Sequence, residues 1–218
     1  HSYFAEDKSV ISVSMNYFTG NVSNNLNTGK ISNYAWGNDY HAVIKPKLYK
    51  LLHSIKSIEP EINGVVCIDT SPIMEKAWAQ KSGLGWIGKH TNLITRDYGS
   101  WIFLGEIVID RELDYDIPFL EDLCGSCTAC LDACPTNAFP KPYILDSSKC
   151  ISYLTIENKD VFSSEIGANL SGWIYGCDIC QEVCPWNIKF SQFSEETSFQ
   201  HRDNLHNRHI NDWNLLTE

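Results

Sequence analysis

Alternation of apolar and polar residues opens the chain. Ser9–Tyr17, Ser-Val-Ile-Ser-Val-Ser-Met-Asn-Tyr, is rich in β-branched residues and predicts a strand. Asn21–Lys30 is Asn/Gly-rich and predicts a loop. A helical period then takes over. Tyr34-Ala-Trp-Gly-Asn-Asp-Tyr-His41 opens an amphipathic helix reaching about Ser57, with Ile44, Leu48, Leu51, Leu52 and Ile55 on one face. Pro46 lies inside that pattern and marks its first turn or a kink. Gly64–Ile68 is short and wholly apolar, the pattern of a buried strand, with Asp69 at its end. Ser71-Pro72 supplies an N-cap and N1 pair for a second helix that closes at Gly83. Thr91–Thr95 and Trp101–Asp110 flank Arg96–Ser100 and predict a β-hairpin.

These elements make an α/β or α+β domain over residues 1–116, followed by a cysteine-rich domain over 117–190. Residues 191–218 are polar, His/Asn-rich and poor in structural cues. The chain's 218 residues suit one or two domains. No apolar run approaches the roughly 18–20 residues of a membrane span, and no signal-peptide pattern opens the chain. His1 in place of Met, and the abrupt ending Trp213–Glu218, read as a piece cut at both ends.

A formal net charge of −10 argues against a generally basic nucleic-acid surface. A polyanionic partner would have to meet a local patch or a region outside this chain. Candidate patches are Lys45, Lys47, Lys50 and Lys56, or His201–His209 with Arg202 and Arg208. A solvated helix face explains the lysines equally well.

Cysteine spacing changes the picture most. Cys124-Gly-Ser-Cys127-Thr-Ala-Cys130-Leu-Asp-Ala-Cys134-Pro135 is the C-x₂-C-x₂-C-x₃-C-P run of two-cluster iron–sulfur proteins, in which the fourth thiolate serves the other cluster. Cys177-Asp-Ile-Cys180-Gln-Glu-Val-Cys184-Pro185 is a partial copy, and Cys150 upstream replaces the missing cysteine. The exchange rule predicts one [4Fe–4S] cluster on Cys124, Cys127, Cys130 and Cys184, and a second on Cys134, Cys150, Cys177 and Cys180. Two such clusters would add roughly −4 to the charge. Structural zinc uses C-x₂-C pairs but not the repeated longer run. Disulfides suit short secreted chains, which this is not. Cys67, in the apolar strand, reads as a core residue.

A two-cluster carrier would leave the hundred residues before the cysteines without a task. Tyr34–His41, Asp69-Thr-Ser-Pro72, Gly83-Leu-Gly-Trp-Ile-Gly-Lys-His-Thr-Asn92, Cys150-Ile-Ser-Tyr-Leu-Thr-Ile-Glu157 and both cysteine runs together resemble the epoxyqueuosine reductase family over nearly the whole chain. The resemblance implies an α+β protein: an α/β cobalamin-binding domain of nitroreductase or reductive-dehalogenase type, then a bacterial two-[4Fe–4S] ferredoxin-like domain. It implies reduction of epoxyqueuosine to queuosine at the wobble position of tRNA by cob(I)alamin fed from the clusters. Asp69, in the family's D-T-x-P motif, would be the proton donor. Ser32, Asp69, Leu93, Ser152, Cys177 and Asp178 would contact the corrin. The implied partners are tRNA and an external electron donor, with no membrane, for a cytoplasmic monomer. Members also carry an N-terminal extension and a C-terminal, often helical-repeat, tRNA-holding region, neither fully present here.

Each assignment has a plainer counterpart. Asp69 at a strand's C-terminal end suits ligand placement in open α/β sheets, but an Asp there also caps helices. His41 and His90 are possible cobalt ligands or ordinary polar residues; no D-x-H-x-x-G motif is present. Trp36, Trp86 and Trp173 wall a corrin or fill the core. Gly83, Gly85 and Gly88 spell G-x-G-x-x-G after a helix, which disfavours a dinucleotide site. The rival functions are a reductive dehalogenase and a ferredoxin-type electron-transfer subunit; corrin content separates the second.

Overall fold

The computed structural model describes residues 7–21, 28–159, 167, 169–202, 209 and 212. Its centre is a three-stranded sheet in the order β1-β6-β3, from β1 (Ser9–Asn16), β3 (Gly64–Cys67) and β6 (Ile102–Ile109). Both pairings are antiparallel: Ser9 faces Ile109 in one, and Gly64 faces the same residue in the other. The ligand-placing rule for parallel sheets therefore does not apply to Asp69, although the residue does follow β3.

Helix α1 (Tyr40–Ile58) covers one face of this sheet. Asp39 caps it by accepting from His41 N at 2.9 Å. Ile44, Leu48 and Leu52 bury themselves against Phe103, Ile107 and Ile109. Gly105 lets the helix approach, since a Cβ there would stand 2.9 Å from Leu48. Pro46 stays within the helix, on its exposed side. The Ala42 carbonyl, which loses its partner, is exposed as well and can turn to water. Helix α2 (Glu75–Lys81) packs on the opposite face. It begins after the expected Ser71-Pro72 cap, at Met74, and has no side-chain cap; Gly83 ends it with a φ of 75°.

The expected hairpin does not form. Leu93–Ile94 (β5) pairs instead with Trp86–Ile87 (β4), and Trp101–Asp110 gives β6 to the central sheet. The Thr95–Gly99 bridge closes only the turn between them. Both are apolar enough for either role, and tertiary burial decides between them.

The cysteine half is made of short helices, including α3 (Ala129–Asp132) and α4 (Ile151–Ile156), with further turns at Ile179–Glu182 and Pro185–Phe190. It is woven into the sheet half. Strand β2 (Lys30–Ile31) runs parallel to β7 (Trp173–Tyr175). A buried polar seam adds Ser100 N donating to Asn187 Oδ1 (2.6 Å) and Ser100 Oγ donating to Gln181 Oε1 (2.8 Å). Residues 22–27, Arg208 and the ending 213–218 lie outside the described residues. Among those described, no helix is long and apolar enough to cross a membrane.

Candidate iron–sulfur centre and adjoining cavity

The eight clustered cysteines fall into two groups in space. Burial, then the neighbouring sulfurs of Cys184, Cys124 and Cys127, pushes the Cys130 thiol up to about 11. Cys184 is raised by burial and by Cys124 and Cys127. Around Cys177, burial and then Asp178, Cys150 and Cys134 push the thiol up to about 12. Cys180 is raised well above the ordinary thiol range by burial, with Cys177 and Cys150 next to it and Cys130 beyond. Each group thus draws on both sequence runs. Buried thiols crowded in this way call for a cationic core that takes them as thiolates. Among the described residues no three His, Cys, Asp or Glu side chains converge closely enough for a single ion. A cubane spreads its thiolates over four irons and asks for wider spacing. Cys67 is fully buried in β3.

Beside the second group lies a cavity of 310 Å³, lined by Cys150, Cys177 and Cys180 together with Ser32, Leu93 and Ser152. Asp178 stands behind Ser32. Fully buried, it accepts from Ser32 Oγ and from Asn33 N at 2.7 Å. Burial raises its carboxyl to about 7 against the pull of those two donors. Gly176, with a φ of 69°, makes the close approach possible, because a Cβ there would meet Ser32 at 2.4 Å. His90 also lines the cavity; its Nδ1 accepts from Asn92 N at 3.2 Å, and its buried Nε2 has no partner among the described residues. Burial pulls its pKa down to about 4, so the ring is neutral at pH 7.

A second cavity of 880 Å³ shares Tyr34 and Ser152 with the first, and Asp69, His41 and Arg202 line it. Asp69 takes a left-handed φ of 41°, and its N–H donates to Glu75 Oε1 at 2.5 Å. It does not cap α2. Its Oδ2 stands 3.3 Å from His41 Nε2, while His41 Nδ1 meets Asp39 Oδ1 at 2.8 Å. Asp39 thus engages Nδ1 of His41, while Nε2 faces the Asp69 carboxylate without a hydrogen bond to it. Trp36, Trp86 and Trp173 are core residues, at most 5% exposed. Sequence reasoning missed Tyr34, Glu75 and Lys76. Lys76 Nζ donates to Thr91 O (3.1 Å) and Asn92 Oδ1 (3.2 Å) at the mouth of the smaller cavity. No spacing rule marks such a contact between a helix and a distant loop.

Two groups of cysteines, each drawn from both runs and set beside two adjoining cavities, are what a two-cluster iron–sulfur protein requires. Residues 123–187 match the family model described as 4Fe-4S double cluster binding domain, and residues 1–70 match that of Epoxyqueuosine reductase QueG, DUF1730. The epoxyqueuosine reductase of Synechocystis sp. is 50% identical over 88% of this chain and 67% of its own length. That of Cellulophaga algicola is 47% identical over 97% and 68%. A crystal structure of epoxyqueuosine reductase with a tRNA-Tyr epoxyqueuosine-modified stem loop superposes with a TM-score of 0.87 at 30% identity, covering 98% of this chain and 57% of that one. A Bacillus subtilis epoxyqueuosine reductase with its aspartate catalytic loop swung out of the active site gives 0.88 at 29% identity over the same 98% and 57%. The chain belongs to the epoxyqueuosine reductase family of oxidoreductases. It spans about two thirds of these curated relatives and 57% of the solved structures.

Proposed function

We propose that this chain is the reducing core that converts epoxyqueuosine to queuosine at the wobble position of tRNA, with two [4Fe–4S] clusters, cobalamin and Asp69. One observation carries the reading. The cavity touching Cys150, Cys177 and Cys180 shares two lining residues, Tyr34 and Ser152, with the neighbouring cavity that Asp69 lines. Space for a cofactor thus adjoins both the cysteines and the acid. A plain electron carrier needs no such space beside its clusters.

The donor sets fit the groups. Cys124, Cys127, Cys130 and Cys184 would hold one cluster, and Cys134, Cys150, Cys177 and Cys180 the other. Ser32, Leu93, Ser152 and Cys177 line the side on which a corrin would rest, with Asp178 fixing Ser32 from behind. When bound, cobalamin supplies the low-potential reducing centre that opening an epoxide requires. The protein's own part is position and protons. Asp69, on the wall of the larger cavity, would protonate the departing oxygen. His41, oriented by Asp39, stands where it can return a proton to Asp69. Arg202, on the same wall, offers a positive group to the RNA backbone. Lys47 is less available, since it pairs with Glu196 at 2.8 Å. Cytoplasmic location, a monomeric state and an external electron donor complete the proposal.

The test is anaerobic reconstitution with iron, sulfide and cobalamin, followed by assay on an epoxyqueuosine-bearing anticodon stem-loop. Asp69→Asn should keep both clusters and the corrin while turnover falls about 10²–10⁴-fold. Full activity in that variant would refute its role as the acid. An unaltered protein that binds corrin yet never yields queuosine would overturn the substrate.

A further inference from the structure

Lys89 is a buried cation whose partners are the carbonyls of a cysteine loop. It lies between β4 and β5 and is 8% exposed. Its Nζ donates to Gly125 O at 2.6 Å and to Cys127 O at 2.8 Å. The same loop is braced from outside: Tyr143 N donates to the Lys89 carbonyl at 3.0 Å, and Tyr143 Oη to Asp122 Oδ2 at 2.6 Å. Asp122 Oδ1 in turn accepts from Cys124 N at 3.0 Å.

Among the described residues no carboxylate lies within ion-pair distance of Lys89 Nζ. Burying an ammonium among carbonyls alone is unfavourable unless an anion compensates. The loop that holds Lys89 supplies Cys124, Cys127 and Cys130 to the first quartet. A cubane on four thiolates carries about −2 when oxidised and one more negative charge when reduced. A fixed positive charge stabilises the reduced form more, because its attraction grows with the charge it faces.

Resting on the cluster assignment above, we propose that Lys89 sets the reduction potential of the cluster on Cys124, Cys127, Cys130 and Cys184, raising it through its buried charge. The other cluster has no share in these contacts.

The experiment is an anaerobic redox titration, followed by EPR, of the reconstituted protein and three variants. Lys89→Gln keeps an amide donor without charge, Lys89→Met keeps only the stem, and Lys89→Arg keeps the charge. Both uncharged variants should lower the equilibrium constant for one-electron reduction of one cluster at least tenfold, a downward shift of about 59 mV. The second cluster should shift less, and Lys89→Arg should stay near the unaltered value. Unchanged potentials at full iron and sulfide content would overturn the proposal. Loss of that cluster from both uncharged variants would overturn it too, since the residue would then serve assembly. Failure of the unaltered protein to show two clusters would instead remove the assignment beneath it.

Discussion

Around β1, β6 and β3 a continuous apolar core runs from Tyr17 through Leu48 and Ile107 to Phe199, with α1 pressed against it. Around the cysteines the buried apolar cluster shrinks to Trp86, Ile94 and Cys184, helped by the half-buried Phe119, Leu123 and Trp186. The first half buries enough side chains to hold its shape by the hydrophobic effect. The second is turns and one-turn helices, too short to be stable alone. The polar seam through Ser100, Gln181 and Asn187 ties it to the sheet half, and metal-bound thiolates would supply the rest of its order.

Removing iron should break this comparison open most widely. Chelation followed by hydrogen exchange should abolish protection over residues 124–134 and 177–186, while β1, β3 and β6 keep theirs. Equal loss in both halves would mean that the sheet half also depends on the clusters. Next in size, Leu48→Ala should cost about 2–5 kcal/mol of the sheet half's stability, read by denaturant unfolding. It should leave the iron content unchanged, because Leu48 touches the sheet and no cysteine loop.

A smaller effect follows from Glu106, fully buried on β6 with Oε2 unpartnered among the described residues. Burial first, and the Glu75 carboxylate second, raises its pKa from 4.5 to about 8. The folded state thus keeps a proton that the unfolded chain releases. Its contribution is complete below about pH 4.5 and declines as pH rises towards 8, by up to about 1.4 kcal/mol per pH unit. Glu106→Gln should flatten that slope in thermal unfolding and leave stability at pH 5 little changed. A slope that persists in the variant would assign it to another group.

Much of this was legible in the chain. β1, β3 and the end of α1 follow their periodicities to within a residue or two, because alternation and helical spacing are local consequences of which face is buried; α1 starts only at Tyr40, where Asp39 caps it, and not at Tyr34. The cysteine runs, with their short spacings, announced their chemistry directly. The hairpin expectation failed because Leu93–Ile94 and Ile102–Ile109 were each free to pair elsewhere, and strand pairing is a long-range choice. Asp69's partners were invisible for a similar reason. His41 and Glu75 reach it from two different helices.

The sequence by itself determined the double-cluster cysteine pattern, β1, β3, the body of α1, and the family. Local spacing and side-chain chemistry suffice for those. Only the tertiary structure decided that Cys150, Cys177 and Cys180 line a cavity beside the one that Asp69 lines, that His41 faces carboxylates, and that Lys89 turns to the cysteine loop while His90 turns to the cavity. Those facts depend on how distant segments pack, and packing is settled by the shared burial of residues far apart in the chain.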